Sequence, residues 1–265
     1  MMEQIYTLLF DTGNAIVTTW IIVFLLRGAM AGLARYFLAV RKNKIQARKF
    51  QWSVLKHELS WSALNLAGTA IVLTYVSSAL VDHGYIVTDT SPASWYVVLG
   101  EFALYFFIFD LYFYLVHRLI HIEPLYTWIH KTHHFSVSPN PLSSSSMTPI
   151  EGIAEGLIIP IFLALFTVHE ASTVLIIPFA TIMGLYVHCG YEFMPNWWYR
   201  RWYTGWFITP MFHDQHHQFF RCNYGGYTTI WDRVFKTVRP RFEQDFDRLK
   251  SRESLSTPGA QAARL

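Results

Sequence analysis

The sequence predicts an all-α membrane protein: a multi-pass bundle of transmembrane helices with a histidine-rich helical cap on its cytosolic side. Hydrophobic residues make up 52% of the 265 positions and charged residues only 15%, whereas soluble domains average about 25% charged residues. The apolar positions are gathered into long uncharged stretches. Most of the 12 histidines are gathered into a few short motifs.

Five apolar stretches are the candidate spans, at residues 5–26, 61–80, 95–116, 156–168 and 171–187. A helix rises about 1.5 Å per residue, so roughly 20 apolar residues cross a hydrocarbon core of about 30 Å. The last two stretches are shorter and are separated only by "HE". They fit two spans, a re-entrant pair, or a buried soluble core.

The basic residues predict the orientation in the membrane. If all five stretches cross, the loops on one side contain none of the 21 Lys and Arg residues, and the basic side is the cytoplasmic one. No cleavable signal peptide or organelle signal is recognisable, so a bacterial inner membrane and an endoplasmic reticulum both fit. The net charge of +3 gives no indication of nucleic-acid binding.

We divide the chain into three regions. Residues 1–92 hold the N-terminal transmembrane helices and a basic cytoplasmic loop, 93–240 form a domain that contains the histidine motifs, and 241–265 form a polar tail that we expect to be disordered. Within the second region, "NWWYRRWYTGWF" spaces Trp198, Trp202 and Trp206 four residues apart. That spacing predicts a helix, which either lies at the membrane interface or packs within the cap.

Nine histidines fall at the cytoplasmic ends of the predicted spans. One pair lies four apart on one helix face, and "HKTHH" and "HDQHH" each place histidines three and four positions apart. With the histidine of "HCGYE", the set is His117, His121, His130, His133, His134, His188, His213, His216 and His217. Nine neutral imidazoles exceed the roughly four to six ligands of one ion and suit two ions sharing a site. Imidazole suits iron, zinc, copper and nickel alike.

The series HRxxH, HxxHH, HxGYE and HDxHH, followed by "NYGGYTTIWDRVFKT", resembles the fatty acid hydroxylase and sterol desaturase superfamily of integral-membrane, non-haem di-iron oxygenases. The resemblance covers about half of the chain, residues 101–237. Within the superfamily, "HDQHHQFFRCNYG" and "HCGYEFMP" are most similar to the sterol C4-methyl oxidase and cholesterol hydroxylase branch. One departure is Lys236, where the family often has Gly.

The resemblance implies that the nine histidines hold two iron ions, with zinc possible in a purified sample, and that dioxygen is the co-substrate. The implied reaction hydroxylates or desaturates a C–H bond of a membrane lipid, either a sterol, a fatty acyl chain or a related lipid. The sequence has no G-x-G-x-x-G or C-x-x-C-H motif, so we expect electrons from a separate protein of the cytochrome b5 or ferredoxin/reductase type.

Two other function classes fit the motifs less well. A membrane-embedded zinc hydrolase needs a carboxylate base beside an open metal position, and neither HxxHH motif contains Glu. A non-enzymatic metal-binding or metal-transport protein would hold its ligands near the middle of the spans rather than at their ends. Both classes are disfavoured by the position and composition of the motifs.

Four polar residues are candidates to support the histidines. Asp110 lies in the third stretch, where an ionisable group is costly; it bonds either a ligand histidine or a neighbouring helix. Asn223, Tyr224 and Asp232 match the closing motif of the family and either buttress the site or form an ordinary turn.

Two further acidic residues and both cysteines are interpreted as structural. Asp214 points away from His216 at about 100° per residue, so we expect an exposed helix charge there. Glu101 lies deeper in its span and suits a packing or tunnel role. Cys189 and Cys222 fall on the predicted cytoplasmic side, where a structural disulfide is not expected.

Overall fold

The computed structural model of the chain describes Leu25, Ala29, residues 44–46 and residues 51–255. The helices are α1 (Trp52–Asp82), α2 (Trp95–Ile120), α3 (Pro149–Gly156), α4 (Ile158–Leu165), α5 (Glu170–Val187), α6 (Pro210–Phe219), α7 (Ile230–Val234) and α8 (Phe242–Leu255). A π-helical turn covers Tyr126–His130, and 3-10 turns cover His133–Phe135, Pro141–Ser145 and Trp198–Arg200. The strands β1 (Thr88–Asp89) and β2 (Val168–His169) form one short parallel pair. The predicted all-α class is confirmed.

Within the described part of the chain, three helices, α1, α2 and α5, are long and apolar enough to cross a membrane. They contain the predicted stretches 61–80, 95–116 and 171–187. Large apolar side chains point outward from them, such as Tyr75, which is 76% exposed. An outer surface of this kind suits lipid rather than water. The predicted stretch 5–26 lies outside the described residues except for Leu25.

The fourth stretch forms a broken helix pair. α3 and α4 meet at Leu157, and the eight-residue α4 is about 12 Å long, too short to cross a bilayer alone. Strand β2 follows α4 and pairs with β1 in the α1–α2 loop, so α4 ends at the opposite end of the bundle from the histidines. At that end Glu101 accepts hydrogen bonds from the His169 amide (2.9 Å) and the Ser172 hydroxyl (2.5 Å), which is a packing role.

Two glycines bring α3 close to α1. A Cβ atom added to Gly152 would lie 2.0 Å from Oδ1 of Asn65, and one added to Gly156 would lie 2.5 Å from Cδ1 of Leu73. Small residues four positions apart are a common means of close helix approach in membranes. This contact fixes the position of the face of α3 that carries its acidic residues, Glu151 and Glu155.

The cap has its own apolar core, and it includes part of the predicted tail. Phe242, Phe246 and Leu249 of α8 are buried against a cluster that includes Tyr199 and Phe212. The expectation of a disordered tail is therefore wrong for Phe242–Leu255, because apolar residues four and three positions apart, Phe242, Phe246 and Leu249, provide one apolar face. Residues 256–265 lie outside the described part of the chain.

The tryptophan-rich segment is not the helix that its spacing predicts. Only Trp198–Arg200 forms a 3-10 turn, and the rest consists of turns and bends. Trp202 is 82% exposed, whereas Trp206 lies under the Arg233 guanidinium, 5.3 Å from its ring centre. Individual tertiary contacts therefore override the four-residue spacing.

Candidate metal centre

The structure brings the nine predicted histidines together in two groups at one end of the bundle. The first group contains His117, His121, His130, His134 and His216; the second contains His133, His188, His213 and His217. Within each group, one ring nitrogen from every histidine lies within 4.8 Å of the others. All nine are buried except His121, which is half-buried. The two groups together contain every predicted ligand.

Each H-x-x-H-H motif contributes to both groups. His130 and His134 join the first group while His133 joins the second, and in α6 His216 joins the first while His213 and His217 join the second. Positions four apart share a helix face, whereas adjacent positions differ by about 100°. The repeated motif therefore lets a single short segment present histidines to two adjacent centres.

The spacing of the Nε2 atoms fits a bound metal ion. The Nε2 atoms of His130 and His134 lie 2.9 Å apart, those of His117 and His130 lie 3.1 Å apart, and those of His133 and His188 lie 3.3 Å apart. Nitrogens bound about 2.1 Å from one ion lie roughly 2.9 Å apart in octahedral and 3.4 Å apart in tetrahedral geometry. Both groups therefore have the dimensions of a coordination shell.

Backbone carbonyls orient several of these rings. Nδ1 lies within hydrogen-bonding distance of a carbonyl oxygen in four cases: His117 with Tyr224 (2.8 Å), His133 with Ser146 (3.3 Å), His188 with Gly184 (2.8 Å) and His216 with Cys222 (2.7 Å). A carbonyl can only accept, so Nδ1 carries the proton and Nε2 presents its lone pair to the group. This is the usual arrangement around a metal-binding histidine.

Glu151 performs the same task for His130. Its carboxyl Oε1 lies 2.6 Å from Nδ1 of His130, and both side chains are buried. Thr148 caps the start of α3 by accepting from the Glu151 amide and donates to the Ile129 carbonyl. Glu151 is not among the site residues predicted from the sequence. An acidic residue in an apolar segment just after the second histidine motif is the signal that points to it.

Burial keeps the imidazoles in the form that binds metals. It lowers the pKa of His133 to about 4 and that of His121 to about 2, with neighbouring histidines adding to the effect at His121. Burial lowers the pKa of five more well below the usual value: His130, His134, His213, His216 and His217. Neutral imidazole is the ligand form, so no proton has to be displaced at neutral pH.

The closing motif folds into a loop that Asp232 holds. Its buried carboxylate accepts hydrogen bonds from the Tyr224 amide (2.9 Å), the Gly225 amide (2.7 Å) and the Thr237 hydroxyl (2.6 Å). Burial raises its pKa to about 6 against the opposing effect of these bonds. Because the Tyr224 carbonyl bonds His117, Asp232 acts on the first group through this loop.

Asn223 fastens the same loop to α6. Its side-chain amide donates to the Phe212 carbonyl (2.9 Å) and its Oδ1 accepts from the Arg239 amide (2.8 Å). Asn223 has a φ of 58°, and so does Lys236 at the other end of the motif. Asn tolerates this left-handed conformation well, but a long side chain does so at a cost.

Asp110 does not bond a ligand histidine, which corrects that alternative. Its carboxylate accepts from the Tyr227 and Thr228 amides, both at 2.9 Å, and from the Thr228 hydroxyl at 2.5 Å. Packing of the 227–228 turn against α2 places these three donors closer to Asp110 than any histidine. Asp110 therefore ties the end of the closing loop to the membrane helix.

Asp214 is also placed differently from the prediction. It is only 1% exposed, and its Oδ1 accepts a hydrogen bond of 2.7 Å from the Gln46 side chain, which also donates to the Val137 carbonyl. The segment at 44–46 covers this side of α6, so the face opposite His216 is buried too. The helix period alone could not reveal that cover.

A cavity of about 480 Å³ runs between the membrane helices and reaches the histidines. Its walls are mainly apolar and include Leu66, Phe109, Phe113, Ile159 and Met183. The histidines on its surface come from both groups: His117, His133, His188 and His213. The size is within the range of about 300 to 1,000 Å³ that is typical of small-molecule sites.

Several known proteins are similar to this chain. A Delta(7)-sterol 5(6)-desaturase of Leptosphaeria maculans is 29% identical over 242 residues, 87% of this chain and 63% of that protein. A Delta(7)-sterol 5(6)-desaturase of Eremothecium gossypii is 32% identical over 158 residues, 57% and 41% of the two chains. A lathosterol oxidase of Mus musculus is 29% identical over 153 residues, 54% and 46% of the two chains.

The chain spans less than two thirds of the length of these relatives, and no solved structure matches it. Residues 102–237, about half of the chain, match the fatty acid hydroxylase family. They include all nine clustered histidines and the closing loop, whose Tyr224 carbonyl bonds His117. The chain therefore belongs to the fatty acid hydroxylase family.

Proposed function

We propose that this protein is a membrane-bound, dioxygen-dependent desaturase of a sterol, with two iron ions held by the nine histidines. The observation that carries the proposal is the cavity, because one apolar space of about 480 Å³ is bordered by histidines of both groups. A lipid in that space would have a C–H bond facing both ions. The names of the relatives favour desaturation of a sterol over hydroxylation of an acyl chain.

Iron ions bound to the two groups would supply the reduction of dioxygen and the attack on the C–H bond, chemistry that side chains lack. The histidines would hold the ions through Nε2, while Glu151 and the backbone carbonyls fix the orientation of the rings. Leu66, Phe109 and Ile159 exclude water from the cavity and hold the lipid. The position in which the cavity holds two adjacent carbons of the lipid decides whether a second hydrogen is removed from the lipid or oxygen is transferred to it.

The proposed catalytic domain is residues 93–240, on the cytoplasmic side of an endoplasmic reticulum or bacterial inner membrane. A desaturation that reduces dioxygen to water requires two further electrons for each double bond formed. We assign them to a separate protein of the cytochrome b5 or ferredoxin/reductase type. His121 is the most exposed of the ligand candidates. Electrons therefore reach the ions from the side of the protein on which the first group lies.

Two features count against the other function classes. For a zinc hydrolase, the nearest carboxylate, Glu151, lies on the Nδ1 side of His130, where it orients a ligand rather than a water. For a metal transporter, the ligands would lie in mid-span, whereas His117 lies three residues before the end of α2 and His188 directly follows α5.

The test uses protein purified in detergent after iron-replete expression. We expect about two irons per chain, and dioxygen uptake with a reductant that depends on added lathosterol and forms a product lacking two hydrogens by mass spectrometry. His133→Ala and His216→Ala should abolish both uptake and product, while His83→Ala, an exposed histidine outside both groups, should not. Stoichiometric zinc with no dioxygen uptake under any reductant would refute the proposal.

A further inference from the structure

One acidic side chain of the cavity has no role in the histidine site. Glu155 lies on α3, one turn after Glu151, and borders the cavity together with Leu73, Phe109 and Ile159. Burial raises the pKa of its carboxyl to about 8, and no hydrogen bond from residues 51–255 offsets that effect. A carboxyl that faces an apolar space without a partner is costly unless a ligand satisfies it.

Two other polar side chains on the same wall, Asn65 and Ser144, already have hydrogen-bond partners. Asn65 donates to the Ser145 carbonyl (3.1 Å) and accepts from the Thr69 hydroxyl (2.9 Å). The Ser144 hydroxyl donates to the Pro141 carbonyl (2.8 Å). On this part of the wall, Glu155 therefore keeps both its donor and its acceptor available for a bound molecule.

We infer that Glu155 binds the hydroxyl of a sterol substrate and thereby selects the carbons that face the two histidine groups. This inference rests on the proposed function. A neutral carboxyl donates through O–H and accepts through C=O, and an alcohol offers the matching acceptor and donor. A cationic lipid would instead place two charges in an apolar space, which carries a large desolvation cost.

The position of Glu155 fits a reaction close to the hydroxyl. Positions four apart on a helix lie about 6 Å apart along its axis, and Glu151 already contacts His130. A hydroxyl at Glu155 would therefore lie about one helical turn from the first histidine group. In a sterol, carbons 5 and 6 lie close to carbon 3, which bears the hydroxyl, and the relatives are named for these carbons.

The test measures binding by the iron-loaded protein in detergent, with tritiated lathosterol and its 3-O-methyl ether, which cannot donate a hydrogen bond. We expect the wild type to bind lathosterol about tenfold more tightly than the ether. Glu155→Leu should lose this preference, and Glu155→Gln, which keeps a donor and an acceptor, should retain most of it. Thr74→Val, at another polar position of the cavity, should leave the preference unchanged.

The possible failures are distinguishable. If the wild type prefers lathosterol and Glu155→Leu keeps the same preference, the role of Glu155 is refuted while the proposed function stands. If the wild type binds iron and consumes dioxygen but binds lathosterol no better than a straight-chain alcohol, the sterol part of the proposed function is refuted and the inference fails with it. Iron content, measured in every variant, reports whether Glu155→Leu folds.

Discussion

The carboxyl oxygen of Glu151 lies 2.6 Å from Nδ1 of His130, although 21 positions separate them in sequence. This pair links helix α3, which packs on α1 through Gly152 and Gly156, to the first histidine group. A carboxylate on Nδ1 holds the imidazole ring in place and raises the basicity of its Nε2. We therefore expect the packing of α3 on α1 to affect metal binding at the first group.

We expect Glu151→Leu to weaken metal binding at the first group by about 10- to 100-fold, as for other outer-sphere partners of ligand histidines. Competition with a chelator followed by elemental analysis measures this. Glu155→Gln, one turn away on the same helix, is the matched control and should keep the wild-type affinity. Equal affinities for wild type and Glu151→Leu would contradict the role of the pair.

Double substitutions test how the ligands divide between two ions. His134→Ala with His216→Ala removes two ligands of the first group and should leave about one metal ion per chain. His216→Ala with His217→Ala removes neighbouring residues of different groups and should leave both sites impaired, with less metal bound than in the first pair. The same metal content in both double variants would refute the division.

Asp232→Asn should destabilise the protein and weaken the first metal site. The substitution removes an acceptor from a buried set of three donors, a change that costs about 1 to 3 kcal/mol. Asp247→Asn is the control, because its ion pair with Arg200 is about half-exposed and is worth less than about 1 kcal/mol, and because an Asn side-chain oxygen can still accept the hydrogen bond from the Tyr199 hydroxyl. Thermal unfolding and metal content are measured; equal effects of the two substitutions would refute the role of the loop.

The metal-free protein should lose stability as the pH falls below about 6.5. Burial lowers the pKa of His133 to about 4, so between this pH and the usual value near 6.5 the unfolded chain binds more protons than the folded one. Each such histidine contributes up to about 1.4 kcal/mol per pH unit.

The unfolding temperature in detergent, measured from about pH 8 to about pH 5, reports this loss. His133→Asn should reduce the slope, and His83→Gln, an exposed position outside both groups, should not. A constant or rising unfolding temperature toward pH 5 would contradict the prediction.

Lys236→Gly should stabilise the protein by up to about 1 kcal/mol, because Lys236 has a φ of 58° and glycine adopts this region without a steric cost. Lys236→Asn should give part of the gain, since Asn tolerates the same region. Thermal unfolding measures both. Destabilisation by both substitutions would mean that contacts of the Lys236 side chain outweigh its backbone strain.

The sequence by itself determined the helical membrane class, the three long apolar helices in the described part of the chain and the set of nine clustered histidines. Long uncharged runs have few stable alternatives to a membrane helix. Histidines repeated at helical spacing have few roles besides metal binding. Those signals are local, so they can be read from neighbouring positions alone.

Only the tertiary structure decided which residues support the histidines. Glu151, the buried Asp214 and the cavity position of Glu155 depend on contacts between segments far apart in the chain. Asp110, for example, bonds Thr228 across 118 positions and no histidine. A local sequence pattern does not show which polar groups meet across such long separations in the chain. Helix packing decides this, here through Gly152 and Gly156.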